Sequence, residues 1–495
     1  MQLKELASCL MIAKVEGKED TVITGIQTDS RKVKPGDLFI CLPGHTVNGH
    51  DYAVKAVEQG AAALVVQQDV GIDVPTVKVK DTRFAMAAMA AHFYGYPSSK
   101  LNLIGVTGTN GKTTTTYLID KILTDRNTRT GLIGTIRMKI ADQMYDMNGT
   151  TPEALELQTR FHQMVEAGTE ACVMEVSSHA LEQGRVKGCD FRTAIFTNLT
   201  QDHLDYHATM DKYRDAKGLF FSRLGNSFSS DPSDRKYAVL NADDEASSVF
   251  ASITAAEVIT YGIDQAADVR ASHIRITSKG TAFTVETPVG TESVQLQMLG
   301  KFNVYNALAA MAAGLIEGIP LEQLKESLES VKGVDGRVEA VDGGQEFAVI
   351  VDYAHTPDGL ENVLATVREF AEGEVICVFG CGGDRDRTKR PIMGKIAAKY
   401  ADRILVTSDN PRSENPERIL DDIEAGLKED QVAKERYELI VDRKAAIQKA
   451  IDMASPADVV LIAGKGHETY QIINGVTHDF DDRLVAKEAL RGLVK

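Results

Sequence analysis

The sequence predicts an α/β fold of three domains, in which the central domain holds a doubly wound parallel sheet with a small antiparallel sheet attached. Three observations lead to this prediction. The chain of 495 residues is too long for one hydrophobic core and corresponds to about three domains of roughly 150 residues. From residue 101 onward, apolar runs alternate with helical segments, as in parallel sheets covered on both faces. Residues 268–298 instead alternate polar and apolar side chains, which predicts antiparallel strands.

The first predicted domain, residues 1–97, has short strands and ends in a stretch of turn-forming residues. Its strands are expected in DLFICL, AALVVQ and PTVKVK, and its helix in YAVKAVEQGA. The following stretch, YGYPSSKLN, is rich in turn formers and indicates a linker to the next domain.

The second and third predicted domains, residues 98–334 and 335–495, repeat the order strand, polar loop, helix. In the second, strands are expected in LNLIGV, TGLIGTI, ACVMEV, TAIFTN and KYAVLN, and a later helix over about 303–317. The third, which we expect to be a Rossmann-like α/β domain, has strands in FAVIVDYAHT, VICVFGCGGD, RILVTSDNPR and VVLIAGKGHE. Because open parallel sheets bind ligands at the carboxyl ends of their strands, the loops after these strands are the first candidates for a functional site.

Composition excludes several classes of function. The net charge of −16 argues against nonspecific binding of nucleic acid or acidic membranes. No run approaches the roughly 18 apolar residues of a membrane span, and acidic residues interrupt the short apolar stretch at the N-terminus, unlike in a signal peptide. The six cysteines form no C-x-x-C pair, which favours reduced thiols over disulfides or zinc. We therefore expect a cytoplasmic protein without membrane insertion or nucleic-acid binding.

The stretch GVTGTNGKTTTTYLID, residues 105–120, has the context of a phosphate-binding loop. It follows an apolar strand and enters a helix, and Gly108 and Gly111 allow backbone N–H groups to turn toward a ligand. Lys112 can reach outer phosphates, and Thr113 can offer a hydroxyl to Mg²⁺. The strict pattern G-x-x-x-x-G-K-[ST] fails because Val106 stands in place of its first glycine. A plain strand–turn–helix connection with an incidental lysine is the alternative.

The loop TGTNGKTT resembles the ATP loop of the Mur ligases, enzymes that build the peptide stem of bacterial peptidoglycan and whose loop also lacks that glycine. Further motifs of this family occur in the same order over nearly the whole chain. They are EVSSHAL (175–181), FTNLTQDHLDYH (196–207), FNVYNALAA (302–310), GRVE (336–339), DYAHTPD (352–358), GCGGDRD (380–386), SDNPRSENP (408–416) and AGKGHE (463–468). Together they most closely resemble the members that add the third residue to UDP-N-acetylmuramoyl-L-alanyl-D-glutamate.

The resemblance implies an ATP-dependent ligase. A substrate carboxylate would attack the γ-phosphate of ATP, and an amine would then displace phosphate from the acyl phosphate. Because two anionic groups have to meet, such catalysis depends on cations and positioning. The implied catalytic residues are Lys112, Glu175, His203 and Lys217. The implied Mg²⁺ ligands are Thr113, Glu175, His203 and Lys217, the last as a carbamate (N6-carboxylysine) formed with CO₂, which requires a neutral amine.

The resemblance also implies three binding regions. The ATP-binding residues would be Gly108, Thr109, Asn110, Gly111, Lys112, Thr113, Thr114, Asn306, Arg337 and Asp352. Those for the UDP-muramoyl dipeptide would be Ser30, Thr150, Thr151, Ser177, Gln183 and Arg185. Those for the amine substrate would be Arg385, Asp409, Asn410, Pro411, Arg412, Gly464 and Glu468.

Within the family, the pattern D-N-P-R at Asp409–Arg412 implies meso-diaminopimelate as the amine rather than L-lysine. Diaminopimelate carries a second carboxylate at its far end, which a guanidinium can bind through two parallel hydrogen bonds. The alternative for Arg412 alone is a surface pair with Glu414. For the whole protein, the alternatives are a lysine-adding or other Mur ligase, folylpolyglutamate synthase, or, in a different class, a nucleotide-driven switch or motor. We expect a monomer.

Overall fold

The computed structural model describes residues 1–44, 47–147, 149–228, 230–231, 234–277 and 280–493. Contacts between residues divide the chain into two compact units. Each unit is built from three separate segments of the chain. The first unit comprises Met1–Val106, Arg126–Ala194 and Leu219–Lys236, and the second comprises Thr107–Asp125, Ile195–Gly218 and Tyr237–Lys495. Among the described residues, no helix has the length and apolar character needed to cross a membrane.

The strands are, in chain order, β1 (Lys14–Glu16), β2 (Gly25–Gln27), β3 (Asp37–Ile40), β4 (Ala63–Val66), β5 (Thr76–Lys78), β6 (Asn102–Thr107), β7 (Thr130–Ile133), β8 (Met138–Ile140), β9 (Gln143–Tyr145), β10 (Ala171–Glu175), β11 (Thr193–Phe196), β12 (Tyr237–Asn241), β13 (Glu257–Gly262), β14 (Val269–Thr277), β15 (Gly280–Thr287), β16 (Gly290–Leu296), β17 (Glu339–Ala340), β18 (Ala348–Asp352), β19 (Val375–Phe379), β20 (Arg403–Thr407), β21 (Tyr437–Ile440), β22 (Val459–Ala463), β23 (Tyr470–Ile473) and β24 (Val476–Asp479).

The helices are α1 (Leu3–Ala7), α2 (Ala53–Glu58), α3 (Thr82–Phe93), α4 (Lys112–Asp125), α5 (Ala154–Glu166), α6 (Ser178–Glu182), α7 (Leu204–His207), α8 (Met210–Ser222), α9 (Ala246–Ile253), α10 (Lys301–Ile316), α11 (Leu321–Glu329), α12 (Pro357–Phe370), α13 (Lys389–Tyr400), α14 (Pro416–Glu429), α15 (Arg443–Met453) and α16 (Asp482–Leu493). Short 3₁₀ turns lie at Gly49–Tyr52, Pro97–Lys100 and Lys434–Arg436.

The first unit contains a five-stranded sheet in the order β1-β5-β4-β3-β2. Its strands β2 to β5 run parallel, and β1 pairs antiparallel with β5. Every residue of β3 and β4 is buried, because alternate side chains enter core clusters on the two faces of the sheet, one containing Leu38 and Val65 and the other Phe39 and Leu64. Burial on both faces explains why these strands are continuous apolar runs.

The first unit also contains the strand order β6-β10-β7-β8-β9. Strands β6, β10 and β7 are parallel, whereas β8 and β9 continue as an antiparallel meander. All five residues of β10 are buried, including Glu175 at its carboxyl end. A carboxylate at that position lies where ligands bind in parallel sheets.

The second unit contains the order β16-β15-β14-β13-β12-β11. Strands β12, β13 and β14 are parallel, and β14, β15 and β16 pair antiparallel. The small antiparallel sheet predicted over residues 268–298 is therefore confirmed. The predicted helix at about 303–317 is α10, whose alanine-rich sequence is buried almost throughout.

A six-stranded sheet in the order β17-β18-β22-β19-β20-β21 forms the C-terminal α/β part of the second unit. The pairs from β18 to β21 are parallel, and β17 is antiparallel to β18. Core clusters lie on both faces of this sheet. Because the parallel strands end on one edge, the loops after β18, β19, β20 and β22 lie near one another.

The three-domain α/β class is confirmed, although the domain boundaries stay a prediction. Sequence reasoning missed the hairpin of β23 and β24, which pair antiparallel. Its turn residues Asn474 and Gly475 have φ of 50° and 75°, as a type I′ turn requires. The dipeptide Asn-Gly between apolar residues was the available signal.

Candidate active site

The predicted phosphate loop connects β6 to α4 in the described structure. Gly108 and Gly111 have φ of 151° and 82°, and a Cβ on Gly111 would collide with the side chain of Asn306. Lys112 lies folded back on the loop, where its Nζ donates to the carbonyls of Gly108 at 3.0 Å and Thr109 at 2.8 Å. These carbonyls hold the ammonium next to the N-terminus of α4. A phosphate that binds at this helix N-terminus would therefore have a cation beside it.

Lys217 on α8 is 1% exposed, and its environment differs from that of a surface lysine. Its Nζ donates to the carbonyl of Gly108 at 2.8 Å and lies 4.4 Å from the ring centroid of Tyr213. Burial, and then repulsion by Lys112, hold the pKa of Lys217 well below its usual value, although Asp202 and Asp244 act in the opposite direction. The amine therefore approaches the neutral form that reacts with CO₂.

The phosphate loop borders a cavity of ≈ 290 Å³ in the second unit. Arg337 donates from Nη2 to the hydroxyl of Thr113 at 3.1 Å, and its guanidinium lies 4.4 Å from the ring centroid of Tyr353. The buried Nε of Arg337 has no hydrogen-bond partner among the described residues. An unpaired, buried N–H of a guanidinium fits an anionic oxygen of a ligand, such as a phosphate.

Asp352 and Asn306 hold the walls of this cavity in position. Asp352 accepts hydrogen bonds from the backbone N–H groups of Val338 and Ala354, both at 2.7 Å, and burial raises the pKa of its carboxyl. Asn306 accepts from the hydroxyl of Thr115 at 3.3 Å. The structure thus brings Thr113, Asn306, Arg337 and Asp352, predicted separately from the sequence, to one cavity.

Sequence reasoning did not single out Asp358, which lies beside the phosphate loop. Its carboxylate accepts a hydrogen bond from the side-chain amide of Asn110 at 2.6 Å, and burial raises its pKa. It also lines the cavity described above. The residue belongs to the motif DYAHTPD, so the motif itself was the signal.

His203 lies in a polar cluster of the second unit. It has φ of 54° and precedes α7, and its Nε2 lies 3.4 Å from Asp202. The same carboxylate group lies 3.9 Å from His355 and 3.7 Å from the buried Lys389. Burial, and then Lys389, lower the pKa of His355 to about 4. Asp202, His355 and Lys389 were not predicted as site residues.

Glu175 is fully buried in the first unit, and threonines surround it. Its carboxylate accepts from the backbone N–H of Thr135 at 2.8 Å and from the hydroxyl of the same residue at 3.0 Å. The hydroxyl of Thr151 donates to the carbonyl of Glu175 at 2.9 Å, and that of Thr150 lies 3.1 Å from the Thr135 hydroxyl. Three predicted site residues therefore meet at this strand end.

The other predicted dipeptide-binding residues follow in the same unit. Arg185 donates to the carbonyl of Thr151 at 2.9 Å and to the side chain of Gln183 at 2.7 Å. Ser177 caps α6 by accepting from the N–H of Ala180 at 3.2 Å, and its backbone N–H donates to Thr151 at 3.1 Å. This network connects Thr151, Ser177, Gln183 and Arg185 near the carboxyl end of β10.

Ser30, predicted to contact the uridine end, lines a separate cavity of ≈ 430 Å³ in the first unit. It is 6% exposed, and the neighbouring Asp29 and Arg31 form a bidentate ion pair. Phe39 and Tyr52 contribute aromatic surface to this cavity, which is suited to the flat face of a base.

The loop after β20 carries Asp409, Asn410, Pro411 and Arg412 in a constrained conformation. Arg412 has φ of 53°, donates from its backbone N–H to Ile472 at 3.0 Å and from Nη1 to the carbonyl of Gly383 at 2.7 Å. The first two residues of the loop are buried. Because β23 and the loop after β19 both hold Arg412, its guanidinium has a defined position.

The remaining predicted amine-site residues lie on the neighbouring loops. Arg385 is exposed and donates to the carbonyl of Asp384 at 2.8 Å. Glu468 accepts from the side-chain amide of Asn410 at 2.9 Å. Gly464 has φ of 122° and lies so close to Asp409 that a Cβ would be 2.7 Å from its carboxylate. The amine-site residues are thus brought to one sheet edge.

Arg390, which the sequence reasoning missed, ties these loops together. It is fully buried and pairs with Glu414 at 2.8 Å and Asp422 at 2.9 Å. It also donates to the carbonyl of Gly382 at 3.1 Å. Glu414 therefore bonds Arg390, and the alternative of a surface pair between Glu414 and Arg412 is not what the structure shows.

The described residues contain no group of three or more His, Cys, Asp or Glu side chains arranged to hold a metal ion. The predicted Mg²⁺ ligands of the second unit instead include a threonine hydroxyl and a lysine. A hard cation takes oxygen ligands, so Lys217 suits such a site only after it has gained a carboxylate through carbamylation.

Three family models match the chain. A Mur ligase middle domain matches residues 106–314, a Mur ligase glutamate ligase domain matches residues 336–466, and a Mur ligase family catalytic domain matches residues 22–94.

Similar proteins match over nearly the full length. A Bacillus cereus protein named UDP-N-acetylmuramoyl-L-alanyl-D-glutamate–2,6-diaminopimelate ligase is 55% identical, with 99% of each chain covered. A Bacillus licheniformis protein of the same name is 53% identical, again with 99% of each covered. A solved structure of an enzyme with that name superposes with a TM-score of 0.71 at 33% identity and covers 100% of both chains.

Proposed function

The chain belongs to the Mur ligase family, and we propose that it joins meso-2,6-diaminopimelate to the D-glutamate carboxylate of UDP-N-acetylmuramoyl-L-alanyl-D-glutamate in peptidoglycan precursor synthesis. ATP is the second substrate. The observation that carries this proposal is the loop after β20, where bonds to Ile472 and Gly383 hold Arg412 and where Asn410 bonds Glu468. Full-length relatives at 50–55% identity carry the name of this reaction.

The second unit supplies the groups that phosphoryl transfer to a carboxylate requires. The γ-phosphate needs cations that neutralise charge as the substrate carboxylate attacks it. Lys112 and Arg337 are those cations, and the Nε of Arg337 has no hydrogen-bond partner among the described residues. The acyl phosphate then has a good leaving group, so a free amine can form the amide.

Magnesium would reduce the negative charge of the phosphates during this transfer. Thr113, His203 and Lys217 of the second unit are proposed as its ligands, with Lys217 in the carbamate form. The lowered pKa of Lys217 supports carbamylation, since only a neutral amine attacks CO₂. Glu175 lies at a buried strand end of the first unit, and its role as a ligand stays a prediction from the sequence.

The amine site favours a substrate whose far end is anionic. Arg412 and Arg385 are cations in the loops that end this sheet edge, and Glu468 is suited to an ammonium group. With L-lysine bound, the guanidinium of Arg412 would face an ammonium instead of a carboxylate. Leaving such a charged group unpaired supports discrimination on the order of 10⁴-fold.

The proposal includes a cytoplasmic, monomeric enzyme. ATP is available inside the cell, and every proposed site residue lies on this one chain. Sedimentation velocity at working concentration tests the oligomeric state, with one species of about 54 kDa expected from the 53.8 kDa chain.

An amide-forming assay tests the function. Purified protein is supplied with ATP, Mg²⁺ and the UDP-linked dipeptide, together with diaminopimelate, L-lysine or D-alanyl-D-alanine, and products are identified by mass spectrometry. We expect a product with diaminopimelate only. A preference for L-lysine would contradict the amine assignment, and ATP hydrolysis that needs neither amine nor dipeptide would contradict the ligase assignment.

A further inference from the structure

Lys465, in the loop after β22, is a fully buried lysine at the proposed amine site. Its exposure is 0%, and its Nζ donates to Glu468 Oε2 at 2.9 Å and to Asn410 Oδ1 at 3.2 Å. Asp409 lies 3.9 Å away. Burying an ammonium costs free energy, which a bonded carboxylate such as Glu468 offsets.

The three side chains form a closed ring of hydrogen bonds. Asn410 accepts from Lys465 through Oδ1 and donates through Nδ2 to the same Glu468 Oε2 at 2.9 Å. Both donors thus reach one oxygen of Glu468, and no hydrogen bond from the described part of the chain reaches Oε1. The ring sets the rotation of the carboxylate and leaves Oε1 to accept a hydrogen bond from a ligand ammonium.

Two features of the surroundings disfavour the ionised form of Glu468, namely its burial and the neighbouring carboxylate of Asp409. Burial, and then the charge of Asp409, raise the pKa of Glu468, whereas Lys465 lowers it. The titratable groups that face Glu468 are Asp409, Lys465, Tyr353, Tyr470 and Arg443. The guanidinium of Arg443 forms an ion pair with Asp482 at 2.7 Å, and both side chains are fully buried. Lys465 is therefore the cation that directly bonds Glu468.

We propose that Lys465 is a positioning residue for the amine substrate, an internal counter-ion that keeps Glu468 ionised and turns its Oε1 toward the substrate ammonium. This inference rests on the proposed function, since it assumes that the loop edge binds an amino acid. Lys465 itself does not touch the substrate in this role. Its effect should therefore appear in the affinity for the amine and in the pH dependence of that affinity.

The test compares Lys465→Met with Lys434→Met in steady-state ligation. Lys434 is the control for a lysine–glutamate pair at the surface. It also pairs with a glutamate at 2.8 Å and lies 4.2 Å from a tyrosine ring, but its side chain is 69% exposed and it precedes β21, whereas the proposed amine site lies in the loops that follow strands. Diaminopimelate is varied from pH 7 to pH 9 at saturating ATP and UDP-dipeptide. The KM for ATP serves as an internal reference.

We expect Lys465→Met to raise the KM for diaminopimelate about 10- to 100-fold at pH 7, the usual effect of losing a hydrogen bond to a charged group. Removing the ammonium raises the pKa of Glu468 further, so a higher pH restores its charge and the KM should fall between pH 7 and pH 9. The KM for ATP and the Lys434→Met enzyme should change by less than about threefold. An unchanged, pH-independent KM for diaminopimelate in a folded Lys465→Met enzyme overturns the proposal.

A double-mutant cycle covers the case in which Lys465→Met does not fold. Lys465→Met with Glu468→Gln removes the charge that the single variant leaves unpaired, and it should fold. Because Lys465 acts through Glu468, the KM of the double variant should lie within about threefold of that of Glu468→Gln alone. Independent, multiplying losses would overturn the proposal. If the unmodified protein ligates no diaminopimelate, the proposed function fails instead, which separates the two outcomes.

Discussion

Two lysines in the second unit, Lys217 and Lys465, are almost equally buried, but the charges next to them have opposite signs. Lys217 is 1% exposed and Lys465 is 0% exposed. The ammonium of Lys217 bonds a carbonyl and feels the positive charge of Lys112. That of Lys465 bonds a carboxylate and lies near a second one. Burial is thus common to both, and the partners differ.

The comparison teaches that partners, rather than burial alone, decide what a buried lysine can do. Burial, and then the charge of Lys112, lower the pKa of Lys217. Without a bonded carboxylate, Lys217 moves toward the neutral, nucleophilic amine that carbamylation requires. Lys465 instead bonds the carboxylate of Glu468 at 2.9 Å, and in our proposal it serves as the counter-ion of that group. In our two proposals, Lys217 reacts with CO₂ and Lys465 orders a binding site.

The largest expected effect is that of Lys217→Ala. A metal site that loses an anionic ligand should lose activity by roughly 10³-fold or more, with the melting temperature retained. A short carboxylic acid added to the assay should restore part of the activity by replacing the carbamate. Wild-type activity in the variant, or no rescue by any acid in a folded protein, would break the contrast between the two lysines.

Lys112→Ala should have the next largest effect, on the order of 10³-fold in acyl-phosphate formation, because a cation at the outer phosphates is lost. Positional isotope exchange in ATP, measured with the UDP-dipeptide and without amine, reports this step alone. The fold should persist, since the side chain of Lys112 is half-buried and donates to carbonyls of its own loop. Near-normal exchange would mean that the loop does not bind ATP phosphates.

Arg412→Ala should reduce kcat/KM for diaminopimelate by about 10²- to 10³-fold, as expected when one partner of a desolvated charge pair is removed. The activity with L-lysine should change much less, so the preference between the two amines should shrink. Parallel progress curves with both amino acids measure this. Equal losses for the two substrates would show that Arg412 supports the loop without reading the far carboxylate.

The smallest effect should come from removing CO₂. Degassed, bicarbonate-free buffer should lower the activity a few-fold, and bicarbonate should restore it. With ¹³C-bicarbonate, a carbamate signal is expected in the NMR spectrum of the unmodified protein and of Lys465→Met. It should be absent from Lys217→Ala and should weaken as the pH falls, because protonation removes the nucleophilic amine. A signal that follows Lys465 would reverse the comparison.

The sequence predicted the family, the α/β class and the antiparallel sheet, because these depend on ordered motifs and on local periodicity. Thr113, Asn306, Arg337 and Asp352 were also predicted, and they line one cavity in the structure. Their roles stay predictions. These four residues could be predicted because each lies in a motif that is recognisable from the local sequence.

Residues that act through distant partners were missed. Arg390 and Lys465 lie inside or beside quoted motifs, but their importance comes from burial against loops that are remote in sequence. The ring of Lys465, Asn410 and Glu468 spans 58 residues between two of its members. Nothing in the local pattern distinguishes such a lysine from a solvated one.

The hairpin of β23 and β24 has a consequence for the order in which the sites can form during synthesis of the chain. Its strand β23 accepts the backbone N–H of Arg412 at Ile472, donates from the N–H of Ile472 to Asn410, and bonds the carbonyl of Asp409 through Gln471. A nascent chain that has just passed residue 412 already contains the phosphate loop, but it lacks the three bonds that hold Asp409, Asn410 and Arg412. The proposed amine site therefore becomes complete about 60 residues after its own loop has been made. Until then, the chain contains the phosphate loop but has no complete binding site for the amino acid.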